Sequence, residues 1–161
     1  MNMAPRPDPP DGCGDLSAAA LDSLVQAALA VRLHAHAPYS RFQVGAALLS
    51  ANGEIFRGCN VENVSYSLTI CAERVAAAAA IAAEQQRWIA MVVASRGGVA
   101  PCGACRQFLA EFGTDLRLIT IDVDSDHRCE SRLSSLLPLA MDRAVLAPWR
   151  SQPTAAGGDE P

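Results

Sequence analysis

Residues 71–123 read CAERVAAAAAIAAEQQRWIAMVVASRGGVAPCGACRQFLAEFGTDLRLITIDV. From Cys71 to Gln86 the run is dominated by alanine and free of Gly and Pro, which predicts a helix. "WIAMVVAS" (Trp88–Ser95) is a short apolar run rich in strand-favouring residues, as is "LRLITIDV" (Leu116–Val123), so each predicts a largely buried strand. Between them, Cys102 to Phe112 predicts a second helix. Helix, strand, helix and strand in alternation imply a sheet with helices packed on its faces.

The flanking sequence extends this pattern. "DLSAAALDSLVQAALAVRLHAHA" has a Ser17 cap and apolar positions Leu21, Leu24, Val25, Ala28 and Leu29 at helical spacing, ending before Pro38. "RFQVGAALLS" and "EIFRGCNVE" are strand-like runs joined through Ala51-Asn52-Gly53, which predicts a hairpin. "SRLSSLLPLA" predicts a short closing helix. An opening hairpin followed by alternating elements gives a mixed sheet covered by helices on both faces. Residues 1–15, rich in proline, and residues 148–161, poor in core residues, are expected to be disordered extensions of a single domain spanning 16–147.

Composition narrows the function classes. The chain has 161 residues, 50% of them hydrophobic, and a formal charge of −4. That length suits one domain, and the acidic balance disfavours a nucleic-acid-binding surface. All the basic residues are Arg, which points to genomic composition and carries no functional weight. No apolar run reaches the roughly 18 residues needed to span a bilayer, and the first residues lack an apolar signal core. A cytoplasmic protein without membrane partners is expected. In a reducing compartment six cysteines point to metal or redox chemistry rather than disulfides. Cys13, Cys59 and Cys129 stand apart and are expected to be free thiols.

Cys102 and Cys105 form a C-x-x-C whose sulfurs share one helix face, with small Gly103 and Ala104 between them. Alone, that spacing also serves thioredoxin-like redox pairs and structural zinc. Cys71, at the mouth of the preceding helix, offers a third thiolate where unpaired backbone N–H groups favour negative charge. Three thiolates leave one tetrahedral position of a zinc ion for water, the arrangement of a catalytic site. The histidines, His34, His36 and His127, are expected at the surface. Glu73 would start about 200° from Cys71 on a regular helix, so it reaches a shared ion only if Cys71 sits outside the regular turn. A carboxylate there, not itself a ligand, suits a proton shuttle.

Cys71-Ala72-Glu73 followed by Pro101-Cys102-Gly103-Ala104-Cys105 resembles the zinc nucleoside and nucleobase deaminase signature. Together with "PYSRFQVGAAL", "GCNVENVSY" and "PCGACRQFLAEF", the chain from about Leu24 to Met141 resembles the small homotetrameric cytidine deaminases. The resemblance implies a three-layer α/β/α sandwich on a mixed, about five-stranded sheet. It implies hydrolytic deamination of cytidine and 2′-deoxycytidine with release of ammonia, one zinc per subunit, and Glu73 carrying protons. Arg74 would offset the excess negative charge of the three thiolates.

The substrate half rests on the same resemblance. Asn60 and Glu62, two apart on a strand, share a face and match the pair assigned to sugar binding, while Phe42 matches the pyrimidine pocket and Ala72 lies beside it. The three come together only if the hairpin loop has three residues, with Gly53 left-handed; a two-residue turn would put Phe42 on the far face. Val64, Tyr66 and Met141 match positions that reach a neighbouring subunit's pocket. Met141 stands where relatives commonly carry Phe, so it can cover an apolar ring edge but without aromatic stacking.

Overall fold

The computed structural model describes residues 16–141, so both expected extensions, Cys13 and the end of the expected domain lie outside the described residues. Helix α1 (Ala18–Arg32) opens the chain and is followed by strands β1 (Val44–Ser50) and β2 (Ile55–Cys59). After them come α2 (Ala72–Ala82), β3 (Trp88–Ser95), α3 (Gly103–Ala110), β4 (Arg117–Asp122), β5 (Arg128–Arg132) and the single-turn α4 (Leu133–Leu136). The sheet order is β2-β1-β3-β4-β5. Only β3 and β4 run parallel, and the other neighbours are antiparallel.

Helices cover both faces, giving three layers. On one side Leu24, Val25 and Ala28 of α1 pack on Ala47, Leu49, Val92 and Ile119. On the other, Ala72, Ala76, Ala77 and Ala80 of α2 and Leu109 of α3 pack on Ala46, Leu48, Met91 and Leu118. Alternation along each strand feeds both cores, which is why β1 and β3 are nearly all apolar.

Two glycines set how closely the helices lie. A Cβ on Gly45 would come 2.2 Å from the Ala28 carbonyl oxygen of α1, and one on Gly58 would come 2.3 Å from the Ala76 nitrogen of α2. With alanines facing it, α2 lies close against the hairpin and carries its N-terminus into the site.

The hairpin takes the expected register: Gly45 pairs with Cys59 and Leu49 with Ile55, leaving Ala51, Asn52 and Gly53 as the loop, with Gly53 at φ 89°. Ser17 caps α1 as expected, its side chain accepting from the Ala20 N–H at 3.2 Å. The sheet has the five strands that the resemblance implies, but the residue patterns marked only four of them and not β5. That strand's sequence, RCESR, has no apolar alternation because it is the exposed edge of the sheet. Helix α1 stops at Arg32, short of Pro38, because His36 leaves the helical path to bridge Val61.

Candidate metal centre and active site

Cys71 is the N-cap of α2 (φ −72°, ψ 151°) and Cys102 the N-cap of α3 (φ −66°, ψ 165°). Both helices therefore begin one residue later than their sequences suggest. That offset fulfils the geometric condition for Glu73: Cys71 is extended rather than helical, so acid and thiol are freed from the spacing of a regular turn. Two helix N-termini converge here, each presenting unpaired N–H groups and a positive dipole end to the sulfurs.

The Cys71, Cys102 and Cys105 sulfurs lie within 4.8 Å of one another, and Cys71 and Cys102 are 3.9 Å apart. Zinc–sulfur bonds in a tetrahedral site set sulfurs about 3.8 Å apart, so the trio fits that ion. It is the only such group of metal-binding side chains among the described residues. The sulfurs differ in their surroundings: Cys105 is buried, Cys71 half-buried and Cys102 exposed. Hydrogen bonding from Cys105, and after it from Arg74, lowers the Cys71 thiol to about 5, whereas donating to Cys71 and burial push Cys105 up.

Arg74 donates to Cys71 Sγ at 3.7 Å and to the Thr69 carbonyl at 3.3 Å. Its Nε is the one buried side-chain nitrogen or oxygen without a hydrogen-bond partner among the described residues. An unspent cationic donor next to a sulfur ligand suits a cluster that becomes anionic when it takes a metal.

Glu73 is 5% exposed. Burial, and to a lesser degree the Cys71 charge, raises its carboxyl above the ordinary range, against smaller opposing hydrogen bonds. It lines a cavity of about 430 Å³ together with Cys71, Ala72, Cys102, Phe42, Asn60 and Glu62. The expected acid, two of the three thiols and the four expected substrate residues thus share one space.

The substrate side of the cavity is tied to the backbone. β2 ends at Cys59, so Asn60 and Glu62 lie just past the strand on which they were expected. The Asn60 amide donates to the Phe42 carbonyl at 2.9 Å and accepts from the Val44 N–H at 2.8 Å. Glu62 accepts from the Tyr39 and Ser40 N–H groups at 2.8 and 3.3 Å and from the Ser40 hydroxyl. These bonds, the Ser40 hydroxyl first, hold its carboxyl below the usual range. Ser40 also accepts from the Phe42 N–H at 3.0 Å, which makes it a hub that sequence reasoning passed over. Its place two residues before Phe42 in a turn was the available signal. Val99 and Ala100, also unanticipated, line the cavity immediately before Pro101.

The remaining expected residues fall outward. Val64, Tyr66 and Met141 are 79%, 71% and 55% exposed. All three histidines are exposed, and Cys59 and Cys129 are free thiols. A second hollow, of about 480 Å³ over Ala35–Pro38, Arg41 and Gln43, contains no thiol and no acid. No helix among the described residues is long and apolar enough to cross a membrane.

A family model described as the cytidine and deoxycytidylate deaminase zinc-binding region matches residues 19–120. The chain is 38% identical to a cytidine deaminase of Sporosarcina psychrophila over 79% of its own length and 95% of that protein's. It is 43% identical to a cytidine deaminase of Halalkalibacterium halodurans, covering 71% of this chain and 89% of that one. Among solved structures, a cytidine deaminase of Burkholderia pseudomallei superposes with a TM-score of 0.71 at 43% identity, over 74% of this chain and 98% of that chain. One from Mycobacterium tuberculosis superposes with a TM-score of 0.65 at 40% identity, over 75% and 96%.

Proposed function

The chain belongs to the cytidine and deoxycytidylate deaminase family, and from that premise we propose that it hydrolyses cytidine and 2′-deoxycytidine to uridine and 2′-deoxyuridine, releasing ammonia, in pyrimidine salvage. The observation that carries this reading is the buried Glu73 carboxyl in one cavity with the Cys71 and Cys102 thiols.

Cys71, Cys102 and Cys105 would hold one zinc per subunit, which when bound supplies Lewis-acid activation of water. Glu73 takes a proton from the water that attacks C4 and delivers it to N3 of the ring, and then moves the proton of the new C4 hydroxyl to the amine, whose bond to C4 breaks as the carbonyl forms. The water oxygen stays on C4 and the nitrogen departs as ammonia. Burial raises the proton affinity of the Glu73 carboxylate, which suits a group that must accept a proton and hand it on. Arg74 offsets the net negative charge of the thiolates.

Phe42 and Ala72 wall the pyrimidine. Asn60 spends one of its two amide hydrogens on Phe42, and Glu62 accepts three hydrogen bonds of the four that a carboxylate takes. The remaining hydrogen and lone pair serve ribose hydroxyls. The exposed Val64, Tyr66 and Met141 reach neighbouring pockets in a cytoplasmic homotetramer.

Incubating the zinc-replete protein with cytidine tests the reading: uridine and ammonia should appear in equal amounts, resolved by chromatography. A folded, zinc-containing protein that converts neither cytidine nor 2′-deoxycytidine would overturn it.

A further inference from the structure

Of the three sulfurs, Cys102 has the least packing to hold it. It is exposed, and Gly103, which follows it, has nothing within 4 Å of where a Cβ would stand. Cys105 by contrast is fully buried, and Cys71 is held by Arg74. The Cys102 carbonyl is held from α3 by the Arg106 N–H at 3.0 Å, and a matching hold on its N-terminal side would act through the peptide bond from buried Pro101.

Arg106 provides such a hold. Its side chain turns back toward the start of α3, as helical side chains do, and its Nε donates to the Pro101 carbonyl at 2.7 Å. That carbonyl belongs to the peptide bond leading into Cys102. The same guanidinium donates through Nη1 to the Leu136 carbonyl at 3.0 Å, at the end of α4. The next residue, Gln107, pairs both backbone groups of Met141: Nε2 donates to its carbonyl at 2.8 Å, and Oε1 accepts from its N–H at 3.2 Å. A cation early in a helix opposes the dipole, so Arg106 stands where only specific partners make it favourable. A planar fork can satisfy two carbonyls at once, which an ammonium on a flexible stem does poorly.

We infer that Arg106 is a positioning residue of the metal centre, fixing the Pro101–Cys102 peptide and bracing it against the end of α4, while Gln107 holds only the segment after α4. The inference rests on the zinc reading, and zinc content measured first separates the two. Arg106→Lys, and Arg106→Gln should the lysine variant not fold, would be loaded with zinc. Release to a chromophoric chelator would then be timed well below each melting temperature, beside Gln107→Ala. Loss of the fork should speed zinc release roughly tenfold, with Gln107→Ala at the parental rate. Parental release from a folded Arg106 variant would overturn the positioning role while leaving the zinc reading standing. Equal acceleration in Gln107→Ala would also overturn it, by showing general loosening of the C-terminal segment. A parent that binds no zinc would overturn both.

Discussion

At the scale of single residues, Glu62 links binding to local order. Its carboxylate closes the turn at Tyr39 and Ser40, next to which Arg41 adopts a left-handed φ of 56°. A non-glycine residue in that region is held there by its surroundings. Removing the carboxylate frees the turn that leads to Phe42 and removes an acceptor from the sugar side, while Glu73 and the sulfurs keep their positions. Glu62→Ala should therefore raise KM for cytidine about tenfold or more with a smaller change in kcat. Steady-state kinetics checks this, and a fall in kcat at unchanged KM would place Glu62 in the chemical step instead. Ser40 and Arg106 illustrate why such contacts escape a reading of the sequence. Their partners, Glu62 and Leu136, are distant along the chain, and no local pattern announces them.

At the scale of elements, the site depends on how closely α2 lies against the hairpin. A Cβ at Gly58 would sit 2.5 Å from the Ala72 carbonyl as well as close to Ala76, forcing away the helix that carries Glu73. Gly58→Ala should cost about 1–3 kcal/mol, read from urea unfolding, and lower activity at temperatures where the protein remains folded. The loop from β3 to α3 is braced differently. Asp122 accepts from Ser125 Oγ at 2.6 Å and from the Gly97 and Asp124 N–H groups at 2.8 and 3.1 Å, and these bonds lower its carboxyl. A folded-state value below the unfolded one means that this stabilisation is complete above about pH 4 and is lost as pH falls through the folded value. The melting-temperature gap between the parent and Asp122→Asn should hold steady from about pH 5 to 7 and close on further acidification. A gap independent of pH would contradict the assignment to the ionised carboxylate.

Most elements were legible because their periodicity and caps are local: the Ser17 cap, the apolar runs of β3 and β4, and the loop ending in Gly53. The hairpin register followed from needing Phe42, Asn60 and Glu62 on one side. β5 was not legible, since an exposed edge strand shows no burial pattern and is held by its neighbour, Arg117 pairing with Glu130 at 2.8 Å. The helix starts at Cys71 and Cys102 were off by one because a cap residue differs from a helical one only in backbone angles.

At the scale of the whole molecule, the segment before α2 carries Val64, Tyr66, Leu68 and Ile70 exposed in and around a short turn. In the proposed tetramer Val64 and Tyr66 would meet neighbouring copies. Val64→Glu should shift the sedimentation coefficient to that of a smaller species, and an unchanged value would remove Val64 from the interface. In the proposed reaction Cys71, Cys102, Cys105 and Glu73 of one subunit form a single deaminating centre. The most direct test follows the ultraviolet absorbance of cytidine with zinc-replete parent and with Glu73→Gln, both checked for folding and zinc content. Turnover by the parent, with none by a zinc-bearing Glu73→Gln, is the predicted result. Undiminished turnover by Glu73→Gln would contradict the account, because the proton carrier would then lie elsewhere.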